Sequence, residues 1–478
     1  MTIHRNRWAA LAAAILTFPG QAAAQSHASL SQGVRDFVAV PEAAFAITGV
    51  RLVDGTGSPA RNHMTVVVRD GHIVEVGPSA SVKLPPGSRE IDGRGHTLLP
   101  GLVMLHEHLF YPAGQLRYNT NQNSFPPLYL AGGVTTMRTG GSMETYTDLR
   151  VAREIEAGRT VGPHMDVTGP YLEGDGGFAW GLPALKTPQE ARDHVNFWAD
   201  RGATSFKAYN LIDRATLKAG IDAAHARGLK VTGHLCSITY REAAELGIDD
   251  LEHGFYAATD FVAGKLPDQC PRGANQSLQD LTPDSPAFRS LVATLTEHRV
   301  ALTSTLTVFE ASAGNRPPPP EGAQAAMLPE IREMVMQRFE ARQHAATPAS
   351  AVFLQKMMAL EKAFYDAGGL LLVGTDPTGA GDVVPGYANQ RALQLLMEMG
   401  LSAEKAVEVA TRNGAVYLGR AGEIGTVEAG KRADLVLLEG DPTSDPTAFN
   451  RMTLVFKDGV GYDSPKLFAS VRGWVGVR

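Results

Sequence analysis

The apolar and polar positions of the chain change rhythm twice. Over residues 44–90 they alternate in short runs, and Thr65-Val66-Val67-Val68 and His72-Ile73-Val74-Glu75-Val76 flank Arg69-Asp70-Gly71. Asp-Gly between β-branched runs predicts a two-residue hairpin, because both turn positions need positive φ. The C-terminal stretch repeats the pattern: Leu435-Val436-Leu437-Leu438 ends in turn residues, and the run 452–456 precedes Asp458-Gly459. Between these ends, over about 99–418, short apolar runs alternate with segments of helical period. Strands are predicted at 101–108, 133–139, 164–169, 204–209, 230–235, 250–254, 300–306 and 370–376. Helices are predicted at 211–227 and at 390–399, the latter with Ala392, Leu395, Leu396 and Met399 on one face. Eight such units predict an α/β fold, a (β/α)8 TIM barrel, with a doubly wound sheet as the alternative. The two β-rich ends predict a small β-sandwich domain formed from both termini. The predicted division is 1–24, 25–98 for the first part of the sandwich, 99–421 for the barrel, and 422–478 for the return.

Residues 1–24 fit neither rhythm. Arg5 and Arg7 precede an apolar run at 8–18, Pro19-Gly20 ends it, and Gln21-Ala22-Ala23-Ala24 offers the small residues of a cleavage site. This reads as a signal peptide cut after Ala24, and hence as an exported, periplasmic protein. A buried N-terminal helix is the alternative. The apolar run is too short to cross a bilayer and no later run is long enough, so no membrane span is expected. Export makes Cys236 and Cys270, the only cysteines, worth weighing. The readings are one disulfide or two free thiols.

Composition narrows the picture less. With 44% hydrophobic and 20% charged residues, the 478-residue chain is not collagen-like, mostly disordered or disulfide-stapled. The formal charge of −6 becomes −8 once Arg5 and Arg7 leave with the signal. No basic footprint argues for a nucleic acid partner. Pro317 to Pro320 interrupt the segment after the seventh strand. Residues 309–327 are read either as a partly mobile flap over the barrel mouth or as a passive insertion.

The candidate chemistry sits at strand ends. The first strand ends in His106-Glu107-His108. Positions i and i+2 of a strand share a face, so the two imidazoles point the same way and Glu107 alternates away from them, read as an outward salt-bridge partner or as a support behind the ligands. Lys207 ends the fourth strand, His234 the fifth, His253 the sixth and Asp376 the eighth. A barrel brings those ends to one mouth. Imidazoles with a carboxylate suit Zn²⁺, Mn²⁺, Co²⁺ or Ni²⁺ better than Ca²⁺.

Pro100-Gly101-Leu102-Val103-Met104-Leu105-His106-Glu107-His108, Lys207, the two later histidines and Gly374-Thr375-Asp376 resemble the metal-dependent amidohydrolase superfamily. Gly425-Thr426-Val427-Glu428-Ala429-Gly430-Lys431-Arg432-Ala433-Asp434-Leu435 is similar to that superfamily's return into its small sheet domain. The resemblance covers nearly all of the chain behind the signal, and its branch is the imidazolonepropionase-like and prolidase-like one, which includes exported dipeptidases. It implies two divalent metal ions, zinc first among them. His106, His108 and Asp376 would hold one, and His234 and His253 the other. Lys207, as a CO₂-derived carbamate, would bridge them together with a hydroxide. Burial near cations disfavours the ammonium form of a lysine, as such a carbamate requires. Asp376 would be the general acid and base.

The expected partner is a small-molecule amide, a dipeptide or an N-acyl amino acid. A second reading keeps the centre but changes the bond to a lactone, carbamate, cyclic amide or ester. A third is a non-catalytic binding barrel. Candidate substrate contacts just past strand ends are Tyr111, Arg138, Tyr209 and Tyr240, with Tyr171, Thr307 and Arg241 as further candidates. A homo-oligomer is expected.

Overall fold

The computed structural model describes residues 27–112, 118–177, 182–345, 348–379 and 381–476, so the predicted signal peptide lies outside the described residues. The Asp-Gly turns form as the alternation requires. Arg69 pairs with His72 and Lys457 with Val460. Asp70, Gly71, Asp458 and Gly459 adopt φ of 49°, 78°, 53° and 79°, the left-handed region that two-residue hairpins demand. Both hairpins belong to one nine-stranded sheet. The two parts of the chain join where Leu435–Glu439 pairs antiparallel with His96–Pro100. Alternate residues Val66 and Val68 point inward with Phe45, Leu98, Leu435 and Phe456 to form a buried cluster.

Between these segments run eight parallel strands, here β1 (Leu102–Glu107), β2 (Val134–Thr139), β3 (His164–Asp166), β4 (Ser205–Ala208), β5 (Lys230–Gly233), β6 (Asp250–Glu252), β7 (Ala301–Ser304) and β8 (Leu371–Val373). They form a three-stranded sheet, β3-β2-β1, and a five-stranded sheet in sequence order, β4 to β8. Past β3, the amides of Gly169 and Leu172 donate to the carbonyls of Ser205 and Lys207 at 2.9 Å. Past β8, the amides of Thr375 and Asp376 both donate to the His106 carbonyl at 3.1 Å. The ends of β8 and β1, with Asp376 and His106, are therefore tied directly to one another.

Helices cover the outer faces, and every residue of β1, β2 and β4 is buried. The helix Arg214–His225 starts where the Asp213 carboxylate accepts from the Thr216 amide at 2.9 Å. The helix Tyr387–Glu398 buries Ala392, Leu395 and Leu396 in the core. No described helix is long and apolar enough to cross a membrane.

Cys236 and Cys270 form a disulfide, with Cα atoms 4.7 Å apart. It ties the segment just past β5 to a loop 34 residues further on. The proline-rich segment is also tied down. Arg316 donates to Glu310 on one side and to Glu398 at 2.7 Å on the other, and Arg391 donates to Glu310 from below.

Candidate metal centre

β1 brings His106 and His108 to one face, as its alternation requires. The Nε2 atoms of the two rings lie 3.3 Å apart. They stand 3.7 and 3.4 Å from Oδ1 of Asp376, and the ligand atoms of all three residues lie within 4.8 Å of one another. Lys207 Nζ reaches His106 Nε2 at 3.3 Å. His253 Nδ1 lies 3.6 Å from Asp376 Oδ2. His234 joins by ring contact, with centroids 4.6 Å from His253 and 4.9 Å from Tyr209. The six residues named from strand ends therefore meet in one place.

Two of them have unusual backbones. His253 and Asp376 sit at φ of 64° and 50°. Non-glycine residues are uncommon there, and such strain persists where the surroundings over-determine it. Asp376 is held by its amide bond to His106 and by Thr378, whose hydroxyl donates to Oδ1 at 2.6 Å.

Buried partners orient the rings. His106 Nδ1 donates to Oε2 of Glu252 at 2.5 Å, and His108 Nδ1 donates to the Gly141 carbonyl at 3.1 Å. With those protons on Nδ1, both Nε2 lone pairs face the centre. His253 Nδ1 lies 2.9 Å from the Thr305 hydroxyl. Burial lowers His108 to about 4 and His234 to about 3, so both are neutral donors at neutral pH. Burial also lowers the Lys207 amine, against the pull of Glu252 and Asp376. For Asp376 burial acts upward, but the His106, His108 and His253 rings around it hold the carboxyl well below its usual range.

The structure corrects three of the four predicted substrate contacts. Arg138 lies beneath the centre, 1% exposed. Its guanidinium donates to Ser205, the Leu105 carbonyl, Glu252 and Thr232 at 2.8–3.2 Å. A guanidinium so spent joins five strand segments and has no fork left for a ligand. Tyr111 is fully buried, edge-on to Phe125, and its hydroxyl donates to the Gly381 carbonyl. Tyr240 is equally buried and donates to the Gly254 carbonyl at 2.9 Å, bracing the backbone beside His253. Tyr209 alone faces the centre, its ring 5.7 Å from Lys207 Nζ and 5.0 Å from the ring of Tyr171. Arg241 is occupied by Thr294 and Ser290, and Thr307 donates to the Thr375 carbonyl at 2.7 Å.

Of the two readings of Glu107, the outward salt-bridge partner fails and the support behind the ligands holds. The side chain does point away from His106 and His108, but into the packing beneath the helix Tyr387–Glu398 rather than to solvent, since both faces of a parallel sheet are covered. Its Oε1 accepts from the Thr375 amide at 3.1 Å and from Asn389 at 3.0 Å, and its Oε2 accepts from the Thr375 hydroxyl. Burial raises this carboxyl to about 8. Glu107 thus anchors the residue preceding Asp376.

The sequence reading missed Glu252. It accepts from His106, Arg138 and Thr232 and is fully buried. Burial acts upward on this carboxyl, but His106 and the Arg138 guanidinium beside it outweigh that and hold the group well below its usual range. Strict alternation would turn Glu252 away from the face of His253. The left-handed backbone at His253 ends the strand there, so both side chains point inward. An acid directly before a candidate histidine ligand was the available signal.

Comparison with known proteins agrees with this geometry. The sequence profile described as "Amidohydrolase family" matches residues 97–460. The imidazolonepropionase of Rubrobacter xylanophilus is 24% identical over 399 residues, which cover 78% of this chain and 84% of that protein. The imidazolonepropionase of Clostridium tetani is 33% identical over 118 residues, 23% of this chain and only 27% of that protein. Among solved structures, a Xaa-Pro dipeptidase with methionine bound in its active site superposes with a TM-score of 0.66 at 20% identity, covering 88% of this chain and 100% of that one. At that identity the likeness shows the fold.

Proposed function

Because the chain belongs to the amidohydrolase family, we propose that it is an exported hydrolase that cleaves the amide bond of a dipeptide or N-acyl amino acid at a centre of two divalent metal ions. The observation that carries this is the convergence of His106, His108 and Asp376 within 4.8 Å, with Lys207 and His253 alongside. The donor set fits the ions. The Nδ1 atoms of His106 and His108 are already committed to protein acceptors, which leaves their Nε2 atoms for a metal. His106, His108 and Asp376 would hold one ion, and His234 and His253 the other. Lys207 would bridge them as a carbamate, and zinc suits these ligands. Such ions acidify a water molecule and polarise a carbonyl.

The remaining work falls to the chain itself. Oδ1 of Asp376 is engaged by Thr378, so Oδ2 is the oxygen we assign to the proton. It takes the proton of the attacking water and returns it to the leaving nitrogen. An expelled amine needs that proton more than an expelled alkoxide does, which favours an amide. Glu252 and the Gly141 carbonyl keep His106 and His108 in one tautomer throughout. Glu107 holds Thr375, and so the carboxyl beside it, in place. Tyr209 and Tyr171 flank Lys207 and shield it from bulk water.

We read the two parallel sheets as one (β/α)8 barrel over 99–421, with the sandwich built from 25–98 and 422–478. Export is supported by the apolar run behind Arg5 and Arg7 and by the Cys236–Cys270 disulfide, since such bonds persist in oxidising compartments. A panel of dipeptides, N-acyl amino acids, lactones and carbamates, offered to metal-loaded protein, tests the reaction. Turnover of amides supports it, and turnover of lactones alone overturns it.

A further inference from the structure

Beside the centre lies a cleft of about 430 Å³, a size typical of small-molecule sites. Its floor is made by His234, His253 and Asp376. Its walls are Tyr256, Val308, Phe309, Phe353 and Leu354. They come from three separate elements: the segment past β6, the helix Leu306–Glu310, and the helix Pro348–Asp366. The rings meet as a corner. Tyr256 lies 4.8 Å from Phe309 and 6.1 Å from Phe353, centroid to centroid. That corner touches the centre, since Phe309 is 6.5 Å from the ring of His253 and Tyr256 is 6.4 Å from that of His234.

Charge is the second half of the argument. No lysine or arginine is among the described residues lining this cleft. On the adjoining segment, Arg316 is committed to Glu310 and Glu398. Of the two arginines named from the sequence, Arg138 is spent beneath the centre and Arg241 donates to Thr294 and Ser290 on the helix Pro286–Glu297. Against the apolar walls, away from the centre, a charged group would lose its water without gaining a partner.

We propose that the cleft receives a large uncharged apolar side group of the substrate, aromatic or branched aliphatic, and that Tyr256, Phe309 and Phe353 set this specificity. The proposal rests on the amide-hydrolase reading for what is cleaved, but not for what the cleft binds. Burial of one such group favours it over a hydrogen by about tenfold to a hundredfold.

The test has two arms on the full-length, metal-loaded protein. The first measures kcat/KM for Gly-Gly, Phe-Gly, Gly-Phe, Glu-Gly and Gly-Glu. At least one phenylalanine peptide should exceed Gly-Gly and its glutamate counterpart by tenfold or more. The second measures binding of phenylacetohydroxamic acid, acetohydroxamic acid and succinic acid monohydroxamate by calorimetry. The phenyl compound should bind at least tenfold tighter than the other two. In Phe353→Ala, and in the gentler Phe353→Leu, both preferences should shrink at least threefold. Amide turnover without either preference, or a preference for the acidic compounds, overturns the proposal and leaves the amide reading standing. Tight phenyl binding with no peptide cleaved supports the cleft assignment and overturns the dipeptide reading.

Discussion

Glu252→Gln replaces one oxygen of a fully buried carboxylate with an amide NH₂. The carboxylate now accepts from three donors: His106 Nδ1 at 2.5 Å, the Thr232 hydroxyl at 2.6 Å and Arg138 at 3.2 Å. A glutamine has one accepting oxygen. If that oxygen faces Arg138 and Thr232, the NH₂ meets His106, whose proton must move from Nδ1 to Nε2. The Nε2 lone pair, which faces Lys207 and Asp376, is then lost to the centre. If the amide turns over, its NH₂ meets the guanidinium instead. Partners of this kind are worth about 10–100-fold in metal affinity. Unbalancing the buried Arg138 charge should further cost about 3–5 kcal/mol of stability. The assay is a chelator-competition measurement of metal affinity beside a urea titration, for wild type, Glu252→Gln and Glu252→Ala. Affinity should fall at least tenfold and the urea midpoint should drop in both variants. Wild-type affinity and midpoint in Glu252→Gln would refute the claim that this carboxylate sets the His106 tautomer and balances Arg138.

Other outcomes follow from single groups. Glu361 is fully buried, and burial raises its carboxyl from 4.5 to about 8, an effect the Ser304 hydroxyl moderates. The folded state therefore binds a proton that the unfolded state releases. Stability from this group is present below 4.5 and is lost as pH rises toward 8, by up to about 5 kcal/mol. Urea titrations from pH 5 to 9 should show that decline, and Glu361→Gln should flatten it; an identical slope in the variant contradicts the assignment. Reducing the Cys236–Cys270 bond opens a loop with a sequence separation of 34, worth about 4 kcal/mol by loop closure, so the melting temperature should fall on reduction. Two thiols titrating in unreduced, denatured protein would contradict the bond. Protein recovered from the periplasm of an expressing bacterium should begin at Gln25, give or take two residues, by N-terminal sequencing. Retention of Met1 would contradict export through this signal.

The parts of the fold that rest on local periodicity were legible. Asp70-Gly71 and Asp458-Gly459 turn where β-branched runs meet, because few other residues accept two positive φ angles in succession. His106 and His108 share a face because a strand repeats every two residues. What failed was the extension of that rule past its end. Glu107 alternates away as expected, yet outward in a covered parallel sheet means a second buried layer, so the residue holds Thr375 rather than an exposed cation. Glu252 turns inward next to His253 because the strand ends in a left-handed residue, which alternation cannot anticipate. Arg138 was legible as a cation near the mouth but not as the tie beneath it, since its partners come from four other strand segments distant in sequence. The pairing of Cys236 with Cys270 likewise depends on where two loops pass, not on any spacing.

The central claim is that the convergence of histidines with Lys207 and Asp376 is a metal centre that drives amide hydrolysis. Its most direct test is to strip the protein with a chelator, add Zn²⁺ in fractional equivalents, and follow bound metal and dipeptide turnover in the same samples. The account predicts no turnover in the stripped protein and recovery that saturates near two equivalents per chain, with His106→Ala failing to recover. Turnover that persists in metal-free protein, or Zn²⁺ that binds no more tightly to wild type than to His106→Ala, would contradict it.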